Sequence, residues 1–454
     1  MTSRDRVPGV RGGGAGARAL LLAGALAAVS LAALVGIPGA ASAYVPRAPI
    51  LIVGDAGFTP DNGVTGGSGT PTDPYMIEGW DIDASAADGI AILYTTAHFV
   101  VRNVRVHSGF WNYVGVWLEG VQNGRIEGSV FADNADGVYV LNSADVTLTS
   151  NTITGSLWDG IRVDLSTRIS LEGNDAQWNQ FDGVSAYETT ALAVTNNVVS
   201  NNDWGVYLWY VDSATVAGNN ASANNVVGIG FDFSASGTAT GNQLWDNDWG
   251  FDVSETSHLV VRENAVGRST SDAVAVTGGT NLTFVQNTFV GTGGGLMMVG
   301  ATNTLVYHNA FLGNAIQAAD DPGANAWDDG YPSGGNYWSD YAGVDSCSGP
   351  NQNVCPDPDG IGDTPYVIDA DSRDRYPLMS PAPGMTAKAG PTLGTDAPAM
   401  LRQIGEPAMM RGDAPDSGPV ALPPTPGGPS GTAASNPGWL QGPLDTRSSV
   451  VRAF

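Results

Sequence analysis

The sequence predicts an all-β fold, a parallel β-helix of stacked coils, and three observations carry that prediction. Small-plus-apolar pairs recur every 22 to 23 residues at Gly115-Val116, Gly137-Val138, Gly160-Ile161, Gly183-Val184, Gly205-Val206, Gly228-Ile229, Gly250-Phe251, Ala273-Val274 and Gly295-Leu296. Asparagines keep the same step at Asn151, Asn174, Asn197, Asn219, Asn242, Asn264, Asn287 and Asn309. Within one unit, Asp136 to Trp158, the stretches GVYVL, DVTLT and NTITG alternate apolar and polar residues at the period of a β-strand. Two markers in phase mean units that bury their apolar faces against one another. Abundant Val, Ile and Thr, with no helix-forming runs, exclude helical repeats. Units such as GVSAYETTALAVTNNVVSNND also lack the leucines of a leucine-rich repeat.

The elements follow in chain order. Residues 1–43 carry Arg4, Arg6, Arg11 and Arg18 before an apolar run from Ala19 to about Ile37, and Ala41-Ser42-Ala43 fits a signal cleavage site. The mature chain is therefore expected to start at Tyr44 and to be secreted, with no membrane span. Residues 44–80 break the period and are expected to cap the first coil. Residues 81–323 hold the repeats; counting Gly or Ala starts from 89 to 315 gives eleven coils, a rod of roughly 50 Å at ~4.8 Å per coil. Valine and isoleucine columns should fill the interior, a small residue should recur at a crowded bend, and the Asn column should occupy corners of left-handed backbone with amides bonded along the stack. Residues 324–380 should cap the other end, since open sheet edges must be covered. Residues 381–454, rich in Pro, Gly, Ala and Ser, should be a disordered tail.

Composition narrows the partners. The net charge is −26, and removing the four arginines and one aspartate of the leader takes it to −29. Lys388, in the tail, is the sole lysine. Such a balance excludes nucleic acid and anionic membranes, which are bound through cationic side chains. Cys347 and Cys355 lie close together beyond the repeats, and in an exported chain a local disulfide is expected.

The segments FTPDNGVTGGSGTPTDPYMIEGWDI, coils of the type NxxDGIxV, and GNYWSDYAG followed by DPDGIGDTPYVIDADSRDRYPL resemble the NosD-like right-handed β-helix proteins, grouped with carbohydrate-binding and sugar-hydrolase (CASH) β-helix repeats. The resemblance spans about residues 50 to 380. It implies a right-handed β-helix, export and, in the founding type, a periplasmic role in copper delivery to nitrous oxide reductase. The residues themselves argue against copper: His98, His107, His258 and His308 fall in different units, and Met297-Met298 should point to opposite faces of one strand.

Candidate chemistry lies on the strand after each glycine, where the second and fourth residues should face outward. These are Trp117/Glu119, Tyr139/Leu141, Arg162/Asp164, Ser185/Tyr187, Tyr207/Trp209, Gly230/Asp232 and Asp252/Ser254. Rings, acids and one arginine on a long face suit an extracellular polysaccharide. Asp136, Asp159 and Asp182 precede the glycine in consecutive coils, at separations that overlap those of glycosidase carboxylate pairs, although Asp-Gly is also an ordinary turn pair. Neither the Gly-His-Gly signature of β-helix pectinases nor a basic constellation beside calcium aspartates is present. In the back cap, Asp357, Asp359 and Asp363 alternate acids around glycines as calcium loops do. The leading expectation is non-catalytic carbohydrate binding or adhesion at the cell surface. The alternatives are a polysaccharide hydrolase or lyase using the stacked aspartates, and a NosD-type accessory for copper-enzyme maturation.

Overall fold

A computed structural model describes residues 44–323 and 325–381. The expected leader and all but the first residue of the expected tail lie outside the described residues. Three parallel sheets wind around a common apolar core. The longest has twelve strands, from Ile50–Val53 through Val116–Glu119, Asp182–Tyr187 and Trp204–Trp209 to Ile316–Asp321. The second has eleven, from Tyr75–Glu78 to Leu305–Tyr307. The third face comprises a six-stranded sheet starting at Val45–Arg47 and a five-stranded sheet ending at Tyr337–Trp338, joined by single bridges through Val198 and Asn220. Strands of all three sheets therefore begin inside the segment 44–80 that the sequence marks as a cap.

Register is set by burial. On the long sheet Val116, Val138, Ile161, Val184, Val206, Ile229, Phe251 and Val274 pair in succession and all are buried. A slip of one residue would turn this column out to solvent. Met298 is in the core and Met297 faces outward, as the alternation requires. The glycine column is needed for space, not for unusual dihedrals. A Cβ on Gly160 would stand 2.7 Å from both Gly183 O and Asn179 Nδ2.

The corners differ from expectation in one respect. The ladder asparagines do not adopt left-handed backbone; the residue before each does, as at Ser150 (φ 53°), Asn196 (φ 55°) and Gln286 (φ 56°). The ladder side chains turn inward instead. Asn197 Oδ1 accepts from Asn174 N (2.8 Å) and Asn174 Nδ2 (3.0 Å), while Asn197 Nδ2 donates to Leu171 O (2.9 Å) and Asn219 Oδ1 (3.1 Å). A buried amide suits this place because it satisfies donors and acceptors of two coils at once. The other two corners carry their own polar ladders. One runs Asn179, Asn202, Asn224, Asn247, the other Ser143, Ser166, Thr189.

Both ends are closed by aromatic stacking. Phe58 lies on Tyr75 with centroids 4.5 Å apart, and Trp80 Nε1 donates to Gly63 O at 2.9 Å. At the far end Phe311, Trp338 and Tyr366 stack at 4.3 and 4.1 Å. The Asn ladder terminates there on Asn336, whose N–H donates to the buried Asp374 carboxylate at 2.7 Å. Cys347 and Cys355 are disulfide-bonded within this cap.

Candidate functional site

The outward columns of the long sheet align as the sequence predicts. Trp117, Tyr139, Arg162, Ser185, Tyr207, Gly230 and Asp252 form one, and Glu119, Leu141, Asp164, Tyr187, Trp209, Asp232 and Ser254 the other. They do not form one open face. Asp164, Ser185 and Tyr207 are buried, because neighbouring outward side chains close over them.

Three local clusters result. In the first, Arg162 sits between the rings of Tyr139 and Tyr187, its guanidinium carbon 5.2 Å from each centroid. Its Nε and Nη2 both reach Asp164 Oδ2 at 2.9 Å, and Tyr139 donates its hydroxyl to the same oxygen at 2.9 Å. Burial first, then the Asp164 charge, raises the Tyr139 phenol well above its ordinary range. The arginine is thus committed to an internal ion pair.

The second cluster is aromatic. Trp204 packs edge-on to Tyr207 (4.8 Å), Tyr207 to Tyr187 (5.8 Å), Tyr187 meets Trp209 (6.0 Å), and Trp209 meets Tyr210 edge-on (4.5 Å). Tyr210 then stacks on Phe233 at 5.2 Å with an 18° interplanar angle. Gly230 makes room for this arrangement: a Cβ there would stand 2.4 Å from the Trp204 ring. The third cluster is acidic. Tyr207 donates to Asp232 Oδ2 at 3.0 Å, Ser254 donates to Asp252 Oδ1 at 3.2 Å, and burial, reinforced by the Asp232 charge, pushes Asp252 up to about 7.

Tyr210 and Phe233 are absent from the outward pairs because they lie one residue past them, on the corner. That corner is left-handed in coil after coil: Gly120, Asn142, Leu165, Glu188, Tyr210, Phe233, Glu255 and Gly278 all have φ between 48° and 71°. Gly and Asn are at ease in this conformation, whereas a large side chain costs about 1–2 kcal/mol. The Tyr210–Phe233 contact offsets about 0.5–1.5 kcal/mol for the pair, and the rings remain 49% and 46% exposed. In the sequence, the clue is a pair of aromatics in consecutive coils where the 22/23 step places Gly, Asn, Leu or Glu in the neighbouring coils.

Asp136, Asp159 and Asp182 do stack on consecutive coils, and all three are buried. Asp159 N–H donates to Asp136 Oδ1 (2.9 Å), Asp182 N–H to Asp159 Oδ1 (3.1 Å), and Ser185 Oγ to Asp159 Oδ2 (2.6 Å). Asp88 holds Val114 N–H in the same way at 2.8 Å. The column thus caps the backbone of the following coil. Burial, with the neighbouring Asp159 charge, pushes Asp136 up to about 7.

In the back cap, Asp357, Asp359 and Asp363 turn to separate partners. Asp357 accepts from Ser348 Oγ (2.9 Å), Asp359 from Ile361 N (3.1 Å), and Asp363 from Ser346 N and Cys347 N (3.1 Å each to the nearer oxygen). Among the described residues no three His, Cys, Asp or Glu side chains converge as a metal site.

Residues 178–343 match the family model described as periplasmic copper-binding protein (NosD), and residues 64–221 match the one described as right handed beta helix region. No curated protein matches the chain. Among solved structures, a mannuronan C-5 epimerase A-module from Azotobacter vinelandii is similar, with TM-score 0.50 and 14% identity over 69% of this chain and 91% of that one. An α-1,3-glucanase catalytic unit from Streptomyces thermodiastaticus has TM-score 0.35 and 14% identity, covering 50% of this chain and 58% of its own. A surface adhesin of Streptococcus pneumoniae has TM-score 0.37 and 8% identity, covering 53% and 82%. At these identities the likeness is one of fold. The donors here do not fit copper: His107 is held by Asp81 (3.4 Å) and Ser108 (2.8 Å), His258 by Asn281 (3.2 Å), and His308 by Ser333 O (2.8 Å), each in a different coil.

Proposed function

We propose that this right-handed parallel β-helix, similar over residues 178–343 to the NosD family model, is a non-catalytic carbohydrate-binding protein working outside the cytoplasm. The observation that carries this reading is the contiguous set of rings from Trp204 to Phe233 on the outer surface of the long sheet. Aromatic faces pack against the C–H faces of pyranose rings, and the carboxylates of Asp232 and Asp252 accept from sugar hydroxyls. The disulfide accords with an oxidising compartment.

The test is incubation of the purified protein with neutral and acidic polysaccharides, reading both retention and release of reducing ends. Retention without release, weakened by Trp209→Ala, is the expected result. Failure to retain any glycan, with Trp209→Ala behaving like the parent, would sink the proposal. A polysaccharide hydrolase or lyase remains the second reading because Asp136 and Asp159 stack on consecutive coils, where burial and the Asp159 charge push Asp136 up to about 7. Cleavage abolished by Asp159→Ala and Asp182→Ala would establish that reading in place of the first.

A further inference from the structure

A ligand running along the rod would meet a closed ion pair, then rings, then acids, coil by coil. The aromatic surface itself extends in the other direction. Trp204, Tyr207, Trp209 and Tyr210 all belong to one coil and are linked in ring contact through Tyr187. Six residue steps at ~3.3 Å make this belt about 20 Å long across the sheet. Along the rod it reaches only from Tyr187 to Phe233, about 10 Å at ~4.8 Å per coil. Beyond Phe233 the same columns continue with Asp252, Ser254 and Glu255.

We propose that the glycan crosses the rod along the strand direction, gripped at the corner by Tyr210 and Phe233, and that the belt selects uncharged pyranose chains over polyuronates. This rests on the carbohydrate-binding reading above and specifies its route and ligand class. Three observations support it. The two corner rings keep a left-handed backbone (φ 51° and 49°) that penalises large side chains, yet they stay about half exposed. Their stack is offset, so part of each ring is open to C–H contacts from a sugar. The flanking corner residues are Glu188 and Glu255, both exposed, and no Lys or Arg follows Arg162 in the corner column or the two outward columns up to Asp321. A carboxylated sugar would meet like charge there, with no cation to pair with.

The experiment uses the whole protein with a soluble neutral glucan, alginate and polygalacturonate as probes, and the variants Tyr210→Asn and Phe233→Asn. Asparagine is at ease in left-handed backbone, so each variant should unfold at the parent's temperature or above it. Glucan binding should fall roughly tenfold in each. The parent should bind the polyuronates more weakly than the glucan, and the gap should narrow as salt is raised. Unchanged binding in both Asn variants, with loss in Tyr139→Ala, would overturn the transverse route and leave glycan binding standing. Polyuronates bound as tightly as the glucan would overturn the selectivity. Absence of binding to all three probes would overturn this proposal together with the function it rests on. A lower unfolding temperature in the Asn variants would identify the ring pair as structural and overturn its role as a grip.

Discussion

Asn196 and Asn197 are neighbours of one residue type with opposite structural duties, and substituting each separates the two. Asn197 is 1% exposed and makes four hydrogen bonds through its side chain, two accepted from Asn174 and two donated to Leu171 O and Asn219 Oδ1. Asn197→Ala removes all four and takes the acceptor from the buried Asn174 N–H. An orphaned buried donor costs about 1–3 kcal/mol and each further lost bond about 0.5–1.5 kcal/mol. The cost should therefore be about 2.5–7.5 kcal/mol. Asn196 is exposed and left-handed (φ 55°), so Asn196→Gly should stay within about 0.5 kcal/mol of the parent. Equilibrium denaturation followed by far-ultraviolet circular dichroism reads both variants on one scale. A cost below about 1 kcal/mol for Asn197→Ala, or equal costs for the two, would refute the assignment of the ladder to inward hydrogen bonding.

Three further outcomes are expected. Gly160→Ala drives a methyl to within 2.7 Å of Gly183 O and Asn179 Nδ2 and should lose about 1–3 kcal/mol in the same denaturation assay; a neutral result would show that the coils yield there. Arg162→Met leaves the buried Asp164 carboxylate without its guanidinium and should cost about 1–3 kcal/mol, measured alongside the parent. Burial, helped by Asp232, raises Asp252 to about 7, so the fold favours its protonated form. That contribution is complete below the ordinary carboxylate value of about 4 and is lost as pH rises to about 7. Asp252→Asn should therefore show a smaller loss of unfolding temperature than the parent across that window, and equal slopes would contradict the assignment.

Much of the outward face was legible from the repeat because side chains alternate strictly along a strand. Tyr139, Arg162, Asp164, Tyr187, Trp209, Asp232 and Asp252 stand where period two puts them. Their burial was not legible. Arg162 reads as a free cation in the sequence, whereas the fold encloses it between two tyrosines and Asp164. Tyr210 and Phe233 were missed because corners follow neither strand period, and a left-handed aromatic is distinguishable only once φ is known.

The sequence by itself determined the coil length, the inward columns and the phase of the Gly and Asn ladders, because each is a one-dimensional repeat imposed by stacking identical units. Only the tertiary structure decided which asparagine of a pair turns inward, and that two further polar ladders line the other corners. It also decided that the aspartate column caps backbone N–H groups of the next coil. These outcomes depend on the direction of a side chain at a bend and on the atom one coil away. Residue spacing records neither; stacking the coils fixes both.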